Sequence, residues 1–135
     1  MFELDMTEGW EPVPGTTGIA QKPLSGNFDE ANAQGYRTRC VRVAPGGETD
    51  EPFVHAYWEE VFVLEGTLTS KADGTSVTAP AYVIRPPGTP HGPILSESGC
   101  VLIEFQYFSD RSVGMRDHLD HMTPTRAAVR PDRGA

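Results

Sequence analysis

The sequence predicts an all-β domain of short strands joined by tight turns. Two observations carry this expectation. The 135 residues hold 14 glycines and 12 prolines, a balance that favours many turns over a helical bundle. Residues 36–43 (YRTRCVRV) and 100–108 (CVLIEFQYF) are rich in β-branched and aromatic residues, and the first run ends at the turn APGGE. The length suits one core closed without staples, so a single domain is expected over 1–110, with an arm at 1–16 and a helix or tail over 111–135.

In order, the arm contains Trp10 and a PVPG turn and is expected to lie against the outside, without chemistry. Residues 17–26 (TGIAQKPLSG) read as a strand that Pro23 confines to an edge. NFDEANAQG is a polar loop. In the strand over 36–43, alternation puts Tyr36, Thr38, Cys40 and Arg42 on one face and Arg37, Arg39, Val41 and Val43 on the other. The three arginines can bind an anionic substrate, but charges on an outer sheet usually face solvent, and that reading is preferred. Residues 60–68 form a central strand, and Ala72-Asp73-Gly74 turns a hairpin before TSVTA. Tyr82 to Arg85 is a strand leading into PPG, and residues 100–108 are the last. There Glu104 and Gln106 share a face with Leu102. Facing inward, Glu104 would serve as a base or substrate contact; facing outward, the commoner fate of glutamate, it is a surface acid. Residues 112–122 (SVGMRDHLDHM) suit a short helix on which His118 and His121 form a surface pair, and the remainder reads as a tail.

The formal charge is −8, with 19 acidic against 11 basic residues and no Lys/Arg cluster, which argues against nucleic-acid binding. No run of about 18 apolar residues suggests a membrane span and no leader pattern is evident, so the chain is expected to be cytoplasmic. Cys40 and Cys100 both fall in strands and read as buried free thiols.

The chemistry concentrates in residues 47–66 (GETDEPFVHAYWEEVFVLEG) and 85–93 (RPPGTPHGP). On an extended chain Phe53 and His55 face the same way, and a short turn through Tyr57 and Trp58 brings Glu59 back onto that face. His91 follows the PPG turn and can reach the same point from another strand. Two histidines and one carboxylate suit a divalent metal, Fe, Zn, Mn or Ni.

Gly47, Phe53, His55, Glu59 and Gly66 lie on the offsets of the first cupin motif, G-x5-H-x-H-x3-E-x6-G, with Phe53 at the first histidine. Pro86, Gly88 and His91 match the second, G-x5-P-x-G-x2-H-x3-N, while Pro80 and Leu95 replace its leading glycine and trailing asparagine. The chain thus resembles the cupin superfamily, and PPGTPHGPILSESGCVLIEF looks like the subgroup of zinc-binding anti-sigma-factor cupins and acetylacetone-cleaving dioxygenases. The resemblance implies a double-stranded β-helix, or jelly-roll, barrel. It also implies His55, Glu59 and His91 as metal ligands and catalytic groups, and a homodimer paired through an outer sheet, a role the N-terminal strand would suit. Phe53, Tyr57, Trp58, Tyr82, Arg85, Glu104 and Phe105 are the candidates for contact with a small substrate, the aromatic ones being expected at the barrel mouth or core.

Three functions are compatible with this. The first is a metal-dependent enzyme, dioxygenase, isomerase or lyase, acting on a small carbonyl or phenolic compound. A metal-free enzyme using His55, His91 and Glu59 as acid and base is the second, kept open by Phe53. The third is a non-catalytic binding module like the anti-sigma sensors, against which stands the want of a further helical domain to hold a partner.

Overall fold

The computed structural model describes residues 1–109, and all of its regular elements are strands. They are β1 (Glu11–Pro12), β2 (Thr16–Gly26), β3 (Tyr36–Thr49), β4 (Trp58–Ser70), β5 (Ser76–Thr78), β6 (Ala81–Arg85), β7 (Ile94–Ser96) and β8 (Cys100–Tyr107). The expected helix over 112–122, with His118 and His121, lies outside the described residues.

The strands form one antiparallel sheet rolled into a jelly-roll barrel. Its centre is β8, which pairs with β3 from Tyr36↔Tyr107 to Val43↔Cys100 and with β4 from Trp58↔Tyr107 to Gly66↔Cys100. β7 continues β8's line between the same two strands, pairing Gly47↔Ser96 and Thr69↔Leu95. β2 and β1 extend the sheet beyond β3, and β6 and β5 extend it beyond β4.

Two strands are longer than the sequence suggests, β3 and β4, the latter spanning Trp58–Ser70 where 60–68 is expected. β3 does not end at Ala44-Pro45-Gly46 but runs on to Thr49, because both Thr16↔Thr49 on β2 and Glu48↔Leu95 on β7 give its far half partners. Pro23 stands beyond the two residues of β2 that β1 covers, Ala20 and Gln21, which is where a strand tolerates a missing donor. The Ala72-Asp73-Gly74 turn is closed by Gly74 N to Ser70 O at 2.9 Å and Ser70 N to Thr75 O at 2.8 Å.

Alternation sorts each central strand into an inner and an outer row. The inner rows carry Val41, Val43, Val61, Val63 and Leu102, which with Ile19, Leu68 and Cys100 make the core. The outer rows carry Phe62 and Leu64, each about half exposed, and Tyr36. Cys40 and Cys100 are buried free thiols, and burial pushes both above their ordinary values.

Gly66 shows how tightly the layers meet. Its φ is +77°, and a Cβ there would stand 1.9 Å from the Gly99 carbonyl oxygen. The final glycine of the first motif is required by backbone contact with the β7–β8 connection.

Candidate metal centre

His55 sits just before β4, and its Nδ1 lies 2.9 Å from the Tyr57 carbonyl oxygen. A carbonyl only accepts, so Nδ1 carries the proton and donates, leaving a lone pair on Nε2. His91 repeats the device with Nδ1 3.0 Å from the Thr89 carbonyl. The two segments are laced by backbone bonds, Phe53 N to His91 O (2.7 Å), His91 N to Phe53 O (3.0 Å) and Gly88 N to His55 O (2.8 Å). The Tyr57 ring stacks on the His55 ring at 3.8 Å and 4°, which holds its plane.

Glu59, the second residue of β4, completes the group. His55 Nε2 lies 3.7 Å from its Oε2, and His91 Nε2 lies 3.7 Å from its Oε1. Both separations are too long for hydrogen bonds. The three donor atoms fall within 4.8 Å of one another, and His55 Nε2 is buried with no partner among the described residues. An orphaned buried nitrogen is rare in a folded protein, and here it is aimed at two further donors. Two imidazole nitrogens and a carboxylate oxygen are what zinc or a ferrous ion takes, so the residues fit a metal.

Behind these residues lies a buried polar row. Glu59 Oε1 accepts from Arg85 Nη1 at 2.6 Å, and Oε2 accepts from Gln106 Nε2 at 2.7 Å. Gln106 Oε1 accepts in turn from Arg37 Nε at 2.7 Å, and the Arg37 guanidinium lies over the Phe28 ring at 4.9 Å. Arg39 Nε donates to Glu104 Oε2 at 2.6 Å, and its Nη1 donates to Gln21 Oε1 at 2.6 Å.

Burial pushes the Glu59 carboxyl up, but Arg85, Gln106 and His91 together hold it below its ordinary value. Burial likewise lowers His91, keeping it neutral near pH 7. Glu104 is raised by burial and by the charge of Glu59, against the pull of Arg39. Tyr57 is pushed up to about 12, chiefly by burial, and stays a neutral phenol.

A cavity of about 180 Å³ opens onto the centre. One pole is polar, with Arg39, Glu59, Arg85, Glu104 and Gln106 beside the histidines; the other is apolar, with Ile19, Val41, Val61, Leu68, Ile94 and Leu102. Phe53, 40% exposed, stands at the mouth with its ring 5.6 Å from that of His91.

The family profile for the ChrR cupin-like domain matches residues 5–107. The chain belongs to that cupin family. Among solved structures, this cupin resembles the acetylacetone dioxygenase of Acinetobacter johnsonii (TM-score 0.62, 17% identity, 82% of this chain and 78% of the other). It also resembles the polyketide cyclase RemF of Streptomyces resistomycificus (0.58, 24%, 78% of each chain). A third resemblance is to the structure of Rhodobacter sphaeroides SigE in complex with the anti-sigma ChrR (0.54, 18%, 71% of this chain and 46% of the other). A search of the curated proteins finds no match.

Several sequence expectations change in the folded cupin. Phe53, Tyr57, Arg85 and Glu104 do line the cavity. Trp58 does not: it lies on the other face of β4, buried, with Nε1 donating to the Ser109 carbonyl at 3.3 Å. Tyr82 and Phe105 also belong to the outer face, Tyr82 paired with Phe62 and bonded to Glu60, and Phe105 paired with Glu60. One residue of strand parity separates each from the inner row.

The preferred solvent-facing reading of Arg37 and Arg39 is overturned, because both share the row of Val41 and Val43 and meet Gln106 and Glu104 inside. Arg42 does stay outside, 4.3 Å over the Trp10 ring. Glu104 faces inward, against the preferred reading, with its side chain 14% exposed. Gln106 joins the site from the same row, and its parity with Leu102 and Glu104 is the signal in the sequence for that role. The arm is not confined to the outside either, since residues 13–16 cross to the cavity wall.

Proposed function

We propose that this cupin is a metal-dependent enzyme acting on a small carbonyl or phenolic compound, with carbon–carbon cleavage by dioxygen as the reaction to test first. One observation carries the reading. Two histidines with Nδ1 tied to carbonyls each present a bare Nε2, 3.7 Å from a different oxygen of one buried glutamate. His55, Glu59 and His91 would hold the ion. A divalent metal held there supplies Lewis-acid polarisation of a substrate oxygen or, as iron, a means of activating dioxygen.

The chain's own groups do the rest. Arg85 and Gln106 hold the Glu59 carboxylate, so its geometry is set before substrate arrives. Phe53 at the mouth limits water, and Tyr57 locks the His55 ring by stacking. Glu104 Oε2 is anchored by Arg39 while Oε1 has no partner among the described residues, which leaves an oxygen free to take a proton from the substrate. The similarity to an acetylacetone dioxygenase and to a polyketide cyclase supports carbonyl chemistry and does not choose between them.

The test is metal content by mass spectrometry of protein purified without chelator, for wild type and His91→Ala. About one transition metal per chain, lost in the variant, is expected. Folded protein that stays empty after reconstitution with iron, zinc, manganese and nickel overturns the proposal. That result would favour the metal-free reading, which rests on Glu59 being already bonded at both oxygens and on Phe53 in the position of a ligand. A homodimer belongs to the same proposal, with half-exposed Tyr36, Phe62 and Leu64 as the surface a second copy would cover; a monomeric mass by light scattering would remove it.

A further inference from the structure

Four charged side chains line the cavity, Arg39 and Arg85 against Glu59 and Glu104. Each arginine lies 2.6 Å from one carboxylate, and none of the four side chains is more than 15% exposed. Without a metal the lining is therefore balanced. Arg37, one layer behind on Gln106, adds a positive charge with no carboxylate in contact among the described residues. A divalent cation on His55, Glu59 and His91 leaves the enclosed site with two further positive charges. Uncompensated charge away from water is expensive, so the complete site is stabilised by a ligand that brings negative charge. A proton on Glu104 would add another positive charge, so the sign of this argument does not depend on its ionisation.

The free atoms point the same way. Arg39 uses Nε on Glu104 and Nη1 on Gln21, and its Nη2 donates to nothing among the described residues. This leaves one guanidinium nitrogen at the polar pole for an incoming oxygen. The opposite pole is hydrocarbon, lined by Val41, Val61, Leu68 and Leu102. The whole cavity is small, about 180 Å³.

We infer that the ligand of this site is a small anionic oxygen chelator with a short hydrocarbon tail, an α-keto or α-hydroxy carboxylate, and that Arg39 and Glu104 set its charge preference. The inference rests on the metal reading above and names the substrate class within it. The neutral metal-free lining and the apolar pole make the specificity two-ended. The anion is wanted most strongly with the metal present, and the tail only within the length the cavity allows.

The experiment is calorimetric titration of zinc-loaded protein with α-ketobutyrate and with its neutral isostere α-ketobutyramide. Zinc stoichiometry is measured on the same samples. The acid should bind at least about tenfold more tightly than the amide. Arg39→Gln should weaken the acid by about tenfold and Glu104→Gln should strengthen it, with zinc stoichiometry unchanged in both. The double variant, which leaves neither buried charge alone, should return the acid to near the wild-type affinity and guards against a folding defect in either single change. Equal binding of acid and amide, or single variants that shift the acid in the same direction, overturns the inference while the metal reading stands. Wild-type protein that takes up no zinc or other divalent metal overturns both.

Discussion

At the scale of single residues, two groups sit where a small change has a large expected effect. Gly66 has a left-handed backbone, and its missing Cβ leaves room for the Gly99 carbonyl at what would be 1.9 Å. Gly66→Ala combines an unfavourable φ with a backbone clash, and a loss of at least about 1–3 kcal/mol is expected. Chemical denaturation should show a lower midpoint, and an unchanged midpoint would mean that the β4 and β7–β8 backbones separate easily. Glu104 is the second group. Its folded-state value is raised above the ordinary carboxylate value by burial and Glu59. The folded chain therefore holds that proton more tightly than the unfolded chain, and the associated stability, full below the ordinary carboxylate range, is lost as pH rises through the raised value. Melting curves of metal-free wild type and Glu104→Gln should diverge, with wild type losing ground to the variant as pH climbs from about 4.5. A constant difference across that range would show that Glu104 titrates normally.

The strands explain why those residues meet. The Arg39↔Glu104 and Arg37↔Gln106 pairs are cross-strand neighbours on β3 and β8, and Glu59↔Gln106 is the corresponding pair on β4 and β8. β8 thus carries the link from the arginine strand to the metal strand. The other element with a consequence is the arm. Trp10 lies 4.3 Å from the Arg42 guanidinium and 5.8 Å from the Lys22 ammonium, and its Nε1 donates to the Met6 carbonyl at 3.0 Å. Residues 13–16 then cross to the cavity wall. Trp10→Ala removes cation–π contacts worth about 0.5–1 kcal/mol at an exposed site. Hydrogen exchange should speed up over residues 11–16 and leave β4 and β8 unchanged. Uniform exchange in the variant would mean that the arm is held by other contacts.

For the whole molecule, metal and folding are coupled. His55 and Glu59 lie on one segment but His91 comes from another far along the chain, so the folded state assembles a site that the unfolded chain lacks. Free zinc at about 100 times its dissociation constant should add about 2.7 kcal/mol of stability. The accompanying rise in melting temperature should vanish in His91→Ala. A rise of equal size in that variant would place the metal elsewhere. Among the described residues no helix is long and apolar enough to cross a membrane.

The sequence by itself determined the all-β class, most of the strands, the hairpin at Ala72-Asp73-Gly74 and the pairing of His55 with Glu59, and its motif spacing pointed to His91 as their partner. The local readings depend on short-range rules, a two-residue period, turn chemistry and the spacing of side chains around one bend, whereas His91 reaches the site through the long-range bridge of its segment to Phe53. The same rules sorted Arg37, Arg39, Val41 and Val43 into one row and Leu102, Glu104 and Gln106 into another. They did not say which row faces in. Where both rows of a strand hold polar residues, period alone leaves its inner side undecided, and only the packed barrel selects one. Tertiary structure chose the arginine and glutamate rows for the interior because their polar groups find partners across a strand, Arg39 with Glu104, Arg85 with Glu59 and Arg37 with the Gln106 amide oxygen. It also turned Trp58, Tyr82 and Phe105 away from the cavity and carried residues 13–16 across it. Those placements depend on contacts between segments distant in the chain, to which a local pattern is blind.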